Sequence, residues 1–198
     1  MTNIEPVAYP NRYTTWTRSD LLEEVRTKVK KSRFEHILRV EEAALLLAKQ
    51  YGADPEACSI AALLHDYAKD SSRSEIEGLV SDGHIEAVLL DYGSQIWHGP
   101  VGAYYAKETF GVEDHEILQA IDQHTIGGEE MSLIGKILFI ADYTESGRDF
   151  PGVEKARELA KKDLDEACIY KITQTLLHLV QTGKRIYPHT VTVYNTWV

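Results

Sequence analysis

Residues 61–70 read AALLHDYAKD, and this stretch decides the fold that we expect. Its first half is apolar on every side, which is typical of a helix buried in a protein core. Asp54, followed by a proline, is a favourable N-cap for that helix. His65 and Asp66 come directly after the apolar run. We therefore predict a buried helix over residues 56–69, with a histidine and an aspartate near its end that can reach one cation.

Four more side chains that can bind metal lie on predicted helices, at positions that face the protein interior. They are His36, His98, His124 and Asp142. The apolar residues around His36, His124 and Asp142 recur with the helical period, so each of these side chains lies on the core side of its helix. His98 precedes a Gly-Pro pair that is typical of a helix start, which places it at a helix N-terminus that favours anions.

These six side chains together predict a metal site. One histidine on an apolar face is more often a hydrogen-bonded core residue than a ligand. Four histidines and two aspartates that all face inward would cost folding free energy unless a cation bound them. The same reasoning treats His84, His115 and His178 as structural, because they have polar surroundings or lack an acidic partner at ligand spacing. It leaves His189 open.

Length and composition indicate one compact domain. The chain has 198 residues, of which 43% are hydrophobic and 26% are charged. Its formal net charge of −10 argues against non-specific binding to nucleic acid or to an anionic membrane, and a polyanionic substrate would need a local positive site. Cys58 and Cys168 are too few for a disulfide framework. We therefore expect a cytoplasmic protein. We find no stretch that resembles a signal peptide and no apolar run of about 20 residues.

Helical periodicity runs through most of the chain without internal repeats or a linker, so we predict an all-α fold. Residues 1–19 lack this periodicity and are predicted to form an N-terminal arm, whereas residues 20–198 form a single domain. One of the helices is expected to begin near Pro100. Residues 184–198 are ambiguous, because part of this tail favours strand while its surroundings favour helix.

The chain resembles the HD superfamily of metal-dependent phosphohydrolases, and more closely the bacterial YqeK family. The strings that carry the likeness are RFEHILRV (33–40), AALLHDYAKD (61–70), WHGPVGAYYAKETFG (97–111), AIDQHTIG (120–127), LFIADYTESGRDFPGV (138–153) and YPHT (187–190). The resemblance covers roughly residues 20–198. It implies a single-domain HD-type helical bundle. The implied enzyme is a symmetrical bis(5′-nucleosyl)-tetraphosphatase, which uses metal-activated water to hydrolyse diadenosine tetraphosphate to two ADP.

The resemblance also implies a set of metal ligands. Its four primary ligands match His36, His65, Asp66 and Asp142. This nitrogen and oxygen set suits iron, manganese, cobalt or zinc, and the family suggests iron. His98 and His124 match positions that hold a second metal or contact substrate phosphate. Asp66 would bridge the ions of a two-metal site.

Further residues are expected to act on the substrate. The catalytic candidates are Asp66, Lys69, His98 and His124. The substrate-binding candidates are Arg33, His36, Lys69, His98, His124, Thr125, Arg148, Tyr187 and His189. Lys69 and Arg148, taken alone, would more often be surface charges. The expected partner is a small dinucleoside polyphosphate or nucleotide, not nucleic acid or a membrane, and a homodimer is allowed.

Three alternatives remain open at this point. The same ligands could serve a phosphohydrolase that cleaves another nucleotide, such as a nucleoside triphosphate, a cyclic nucleotide or a guanosine alarmone. The chain could instead be a nucleotide-binding regulator whose metal only holds the ligand. A diiron oxygenase ranks last, because cationic residues suited to a polyanion accompany the ligands. Kinase and dehydrogenase functions have no support, because the sequence has neither a Walker loop nor a dinucleotide glycine fingerprint.

Overall fold

A computed structural model describes residues 7–198, and within that range every regular element is helical. The α-helices are α1 Arg18–Lys28, α2 Lys31–Tyr51, α3 Pro55–Leu64, α4 Arg73–Ser81, α5 Ser94–Glu108, α6 His115–Gln123, α7 Leu133–Thr144, α8 Val153–Ala160, α9 Leu164–Gln181 and α10 Pro188–Trp197. A 3-10 helix, Ala87–Asp91, lies between α4 and α5. The prediction of an all-α fold is confirmed.

Helix α3 is the centre of the bundle. Helices α1, α2, α5, α6 and α7 pack around it, and Ile60, Leu63 and Leu64 are fully buried there. Burial of each such side chain contributes roughly 1.5–3 kcal/mol. The predicted N-cap is present, because the Asp54 side chain accepts hydrogen bonds from the backbone N–H groups of Glu56 and Ala57. The apolar run thus fixes α3 in the core and brings the residues after it to the bundle interior.

Helix α3 ends at Leu64, five residues earlier than the sequence predicts. The backbone then continues in tight turns, in which the N–H of Tyr67 donates to the carbonyl of Leu64 and the N–H of Lys69 donates to that of Asp66. Such i to i+3 hydrogen bonds wind the chain more tightly than an α-helix does. The prediction that this helix continues to residue 69 is therefore wrong.

The predicted start of α5 is also wrong, because this helix begins at Ser94 and not near Pro100. Gly93, with a φ of 75°, turns the chain into the helix, and its carbonyl accepts hydrogen bonds from Ile96 and Trp97. Pro100 lies inside the helix, where it forgoes one backbone hydrogen bond. His98 consequently lies in the second turn and not at the helix N-terminus, so the anion-favouring placement predicted for it is wrong.

The ambiguous tail forms α10. Thr190 and Val193, three residues apart, are both buried, and α10 packs on α9. Helical spacing puts both side chains on one face, so tertiary packing outweighs the strand propensity of this segment.

The predicted N-terminal arm lies partly outside the described residues, since its first six residues are not among them. Its described part is irregular up to α1 and contacts the bundle. The hydroxyl groups of Tyr9 and Ser59 are 2.8 Å apart, and Thr14 donates to the carbonyl oxygen of Phe110. The division into an arm and one domain stays a prediction. In residues 7–198 we find no helix with the length and apolar character needed to cross a membrane.

Candidate metal centre

Four buried histidine rings come together where α2, α5 and the ends of α3 and α6 meet. They are His36, His65, His98 and His124, and none is more than 6% exposed. The ring centroids of His65 and His124 are 4.9 Å apart, and those of His36 and His65 are 5.5 Å apart. The sequence therefore predicted correctly that these histidines face inward.

Backbone carbonyl groups fix the orientation of three of these rings. The Nδ1 atoms of His65, His98 and His124 lie 2.6–2.7 Å from the carbonyl oxygens of Ala62, Ser94 and Ile121, respectively. A carbonyl oxygen only accepts, so each Nδ1 carries the hydrogen and, in a neutral ring, the lone pair is on Nε2. Burial lowers the pKa of His65 to about 4, and it also lowers the pKa of His98 and of His124. These rings therefore present neutral nitrogen donors to the centre.

A carboxylate orients the fourth ring. Nδ1 of His36 lies 3.2 Å from Oε1 of Glu145, which is 2% exposed. Arg39 donates to the other oxygen of Glu145 at 2.6 Å and supplies its countercharge. A histidine held in this way presents Nε2 as a ligand, an arrangement common around protein metals.

Asp66 lies between two pairs of histidines. The first pair is His36 and His65, and the second pair is His98 and His124. Its Oδ2 is 3.7 Å from Nε2 of His36 and 3.5 Å from Nε2 of His65. Its Oδ1 is 3.2 Å from Nε2 of His98 and 3.8 Å from Nε2 of His124. Burial raises the pKa of Asp66, but the surrounding imidazoles outweigh it and hold the pKa well below its ordinary value. One carboxylate thus offers an oxygen to each pair.

Asp142, on α7, faces the first pair. Its Oδ1 is 3.2 Å from Nε2 of His36 and 4.0 Å from Nε2 of His65. Burial alone would raise the pKa of Asp142, but the close approach of His36 and the charge of Lys171 hold it well below its ordinary value. The structure therefore brings together all four residues that the sequence proposed as primary ligands.

The donor set fits a cation. Within residues 7–198, the buried Nε2 atoms of His36 and His65 have no hydrogen-bond partner. Potential ligand atoms lie within 4.8 Å of one another in two groups, one of His36, His65 and Asp66 and one of Asp66, His98 and His124. In the second group the two Nε2 atoms are only 2.8 Å apart. Two lone pairs at that distance repel unless a proton or a cation lies between them.

Three cationic side chains line this centre. Arg33 donates to Oδ2 of Asp66 at 2.6 Å, and Arg148 donates to Oδ1 of Asp142 at 2.7 Å. Nζ of Lys69 lies 3.2 Å from Nε2 of His98, and burial lowers the pKa of this lysine. All three cationic residues that the sequence proposed for phosphate are therefore at the centre.

Sequence reasoning missed two buried charged residues here, Glu145 and Lys171. Nζ of Lys171 donates to the carbonyl oxygens of His124 and Phe139 and lies 3.8 Å from Oδ2 of Asp142. Burial lowers the pKa of Lys171 to about 8. Helical spacing on α9 would have indicated that this lysine faces the interior, since Ala167 and Cys168, about one turn before it, are apolar and buried. Glu145 follows Asp142 by three residues, but its contact with His36 spans more than a hundred residues and left no local signal.

A cavity of about 260 Å³ opens beside the second histidine pair, and we call it the α6 cavity. Its lining includes Ile96, Asp122, Gln123, Thr125, Tyr187 and His189. Oγ1 of Thr125 is 3.3 Å from Nε2 of His98, so the cavity adjoins the ligands. The substrate-binding candidates Thr125, Tyr187 and His189 thus border one space. His84, which the sequence placed among the structural histidines, also lines it, and burial raises the pKa of Asp122 to about 6.

Sequence comparison identifies relatives over most of the chain. The HD domain family matches residues 33–147. A symmetrical bis(5′-nucleosyl)-tetraphosphatase from Halalkalibacterium halodurans is 43% identical over 178 residues, which are 90% of this chain and 95% of the relative. The protein of the same description from Bacillus subtilis is 38% identical over 90% of this chain and 96% of its own length.

A solved structure has the same fold. It is described as a predicted HD superfamily hydrolase involved in NAD metabolism from Clostridium acetobutylicum, with a TM-score of 0.86 and 32% sequence identity. The match covers 92% of this chain and 97% of that structure. The helical bundle, the paired histidines and the similarity to these relatives agree with the motifs, and the chain belongs to the HD-domain family and, within it, to the YqeK family of symmetrical bis(5′-nucleosyl)-tetraphosphatases.

Proposed function

We propose that this protein hydrolyses diadenosine tetraphosphate symmetrically and releases two ADP. One observation carries the proposal: Asp66 lies between two pairs of inward-facing histidines, with three cationic side chains around them. The relatives named for this activity match about nine-tenths of the chain. These three positive side chains provide the local positive site that a polyanionic substrate needs in a protein with a net charge of −10.

His36, His65, Asp66 and Asp142 would hold a divalent metal. A metal bound there lowers the pKa of a coordinated water and screens the negative charge of phosphate oxygens. The nitrogen and oxygen ligands suit iron, manganese, cobalt or zinc, and the resemblance to the YqeK family favours iron. The fit rests on the unpartnered Nε2 atoms of the first pair in the described part of the chain.

His98 and His124 would take one of two roles. As neutral rings they offer lone pairs to a second metal, together with Oδ1 of Asp66. As protonated rings they would instead donate hydrogen bonds to a phosphate oxygen. A ring cannot do both at once, so the metal content of the active enzyme distinguishes the two roles.

Arg33, Lys69 and Arg148 would bind the phosphate chain. Each lies at the centre and carries N–H donors that can turn from a ligand carboxylate or imidazole to phosphate oxygens. Charge-assisted hydrogen bonds of this kind stabilise the negative charge that grows on the departing ADP. Thr125, Tyr187 and His189 would border one nucleoside in the α6 cavity.

Product analysis tests the proposal. Purified protein, loaded with iron, manganese, cobalt or zinc, is incubated with diadenosine tetraphosphate, and the nucleotides are separated by chromatography. We expect ADP alone, and chelation of the metal should stop its formation. AMP together with ATP would contradict symmetrical cleavage. Faster turnover of another nucleotide than of diadenosine tetraphosphate would favour the alternative hydrolase. Tight nucleotide binding without turnover would favour the regulator.

The cellular setting belongs to the same proposal. We place the protein in the cytoplasm, in keeping with two buried cysteines that are both free. Its partner would be the small dinucleoside polyphosphate, and the acidic net charge argues against nucleic acid. A homodimer stays a prediction, which light scattering of the purified protein would test.

A further inference from the structure

Two cavities adjoin different members of the candidate ligand set. Thr125, on the wall of the α6 cavity, contacts His98. Asp66 joins that histidine pair to the other, which Asp142 faces. Tyr143, the residue after Asp142, lines a second cavity of about 580 Å³, which we call the α9 groove. Its lining residues are Tyr143, Phe150, Pro151, Gln174, Thr175, Leu177, His178 and Gln181.

The α9 groove begins close to Asp142. Nζ of Lys171 is 3.8 Å from Oδ2 of Asp142 and 5.6 Å from the ring centroid of Tyr143. Gln174 and Thr175 lie three and four residues after Lys171 on α9, which puts them on the same helix face about one turn away. The groove therefore leads away from the ligands along α9.

The walls of the α9 groove suit a nucleobase. The rings of Tyr143 and Phe150 meet edge to face, with centroids 4.9 Å apart, and provide an aromatic surface on which a base can stack. Gln174 and Gln181 carry side-chain amides, the group that pairs best with the hydrogen-bonding edge of adenine. A purely apolar groove would lack these partners.

A cationic side chain, that of Arg148, joins a ligand to the segment that carries Phe150. Arg148 donates to both the carbonyl oxygen and Oδ1 of Asp142, at 2.9 and 2.7 Å, and Phe150 follows it by two residues. A phosphate that passes from the ligands towards the groove would meet this guanidinium group. The order of ligand, cation and aromatic surface matches the order of groups along a nucleotide.

We propose that the α9 groove binds the second nucleoside of the dinucleotide, while the α6 cavity holds the first. This inference rests on the proposed function. A substrate with a nucleoside at each end, cut at its midpoint, needs nucleoside sites on both sides of the ligands. The two cavities adjoin different ligands, the α6 cavity at His98 through Thr125 and the α9 groove at Asp142 through Tyr143, and so meet that requirement.

Substrates with two nucleosides and with one distinguish this site from general damage. The variants are Phe150→Ala, Gln174→Ala and Gln181→Ala, and Val180→Ala on α9 is the matched control, because Val180 is 63% exposed and outside the groove. Diadenosine tetraphosphate is the substrate, and adenosine 5′-tetraphosphate, with one nucleoside, is the competitor. Thermal melts of each variant record whether it folds.

We expect Phe150→Ala to lower kcat/KM for diadenosine tetraphosphate about tenfold, mainly through KM, as is usual when an aromatic ring under a base is removed. The inhibition constant of adenosine 5′-tetraphosphate should change less than about threefold, since its single nucleoside can use the α6 cavity. The two glutamine variants should show the same pattern more weakly. They keep the test decisive if Phe150→Ala fails to fold, because both side chains are at least partly exposed.

Equal losses for both nucleotides, or no loss for diadenosine tetraphosphate, would overturn the groove assignment while the proposed function stands. A wild-type protein that forms no ADP from diadenosine tetraphosphate under any metal loading would overturn both.

Discussion

Oε1 of Glu145 lies 3.2 Å from Nδ1 of His36 and holds this ring with Nε2 towards the two aspartates. Glu145→Gln should keep the size of the side chain but weaken the acceptor, so the ring would lose orientation and basicity. We expect the affinity for the divalent metal to fall about 10- to 100-fold. Equilibrium titration with manganese or cobalt measures it. Glu35→Gln, at an exposed position of the same α2, is the control and should bind metal like the wild type.

Asp66→Ala and His98→Ala should differ in metal content. Asp66 offers oxygens to both histidine pairs, so its loss should abolish activity and most bound metal. His98 lies beside only the second group, so His98→Ala should lower turnover more than occupancy of the first site. Elemental analysis and kcat of the same preparations test this division. His115→Ala, at an exposed position at the start of α6, is the control and should leave metal content and kcat unchanged. Equal metal loss in Asp66→Ala and His98→Ala would contradict the division of roles.

Gly99→Ala should disturb the second histidine pair. A Cβ at Gly99 would overlap the backbone carbonyl oxygen of Asp122, so α5 must shift away from α6. That shift would separate Nε2 of His98 from Nε2 of His124, which are 2.8 Å apart. We expect a destabilisation of about 1–3 kcal/mol, measured by denaturant unfolding, together with loss of activity.

Gly78→Ala is the matched control for Gly99→Ala. Gly78 lies inside α4, and nothing lies within 4 Å of the position of its Cβ. The change should stabilise the protein by about 0.5–1 kcal/mol without altering turnover. If Gly99→Ala were equally harmless, close packing of α5 on α6 would not be what positions His98.

The ligands could be predicted from sequence because their signals are local. Helical spacing places His36 on an apolar face, and the buried run before His65 fixes where the chain enters the interior. Glu145 and Lys171 could not be recognised in the same way as partners of the site. Their roles depend on contacts with His36 and His124, which lie far away in sequence.

The predictions of helix boundaries were wrong for a different reason. Pro100 is typical of a first helical turn, but Gly93 starts α5 six residues earlier, and packing of α5 on its neighbours compensates for the hydrogen bond that the proline lacks. In residues 184–198 the sequence has both helix and strand propensity, and burial of Thr190 and Val193 on one face favours the helix. Local preferences therefore located the site better than they located the ends of its helices.

The metal-free protein should lose stability in mild acid through His65. Burial lowers the pKa of this fully buried ring to about 4, below the ordinary value of 6.5. Between these values the unfolded chain binds a proton that the folded protein does not, so the free energy of unfolding rises with pH. The contribution of His65 is on the order of 3 kcal/mol. Urea unfolding of chelated protein at pH 7, 6, 5 and 4 measures the slope.

His65→Gln isolates this contribution, because an amide can still donate to the carbonyl oxygen of Ala62 but does not titrate. The variant should have a shallower slope than the wild type between pH 6.5 and 4, and the two curves should run parallel above that range. Bound metal should steepen the pH dependence of the wild type, because it stabilises the folded protein and is displaced as the pH falls, when protons compete with it for the same lone pair. Identical slopes for both proteins would show that His65 is not held neutral by burial.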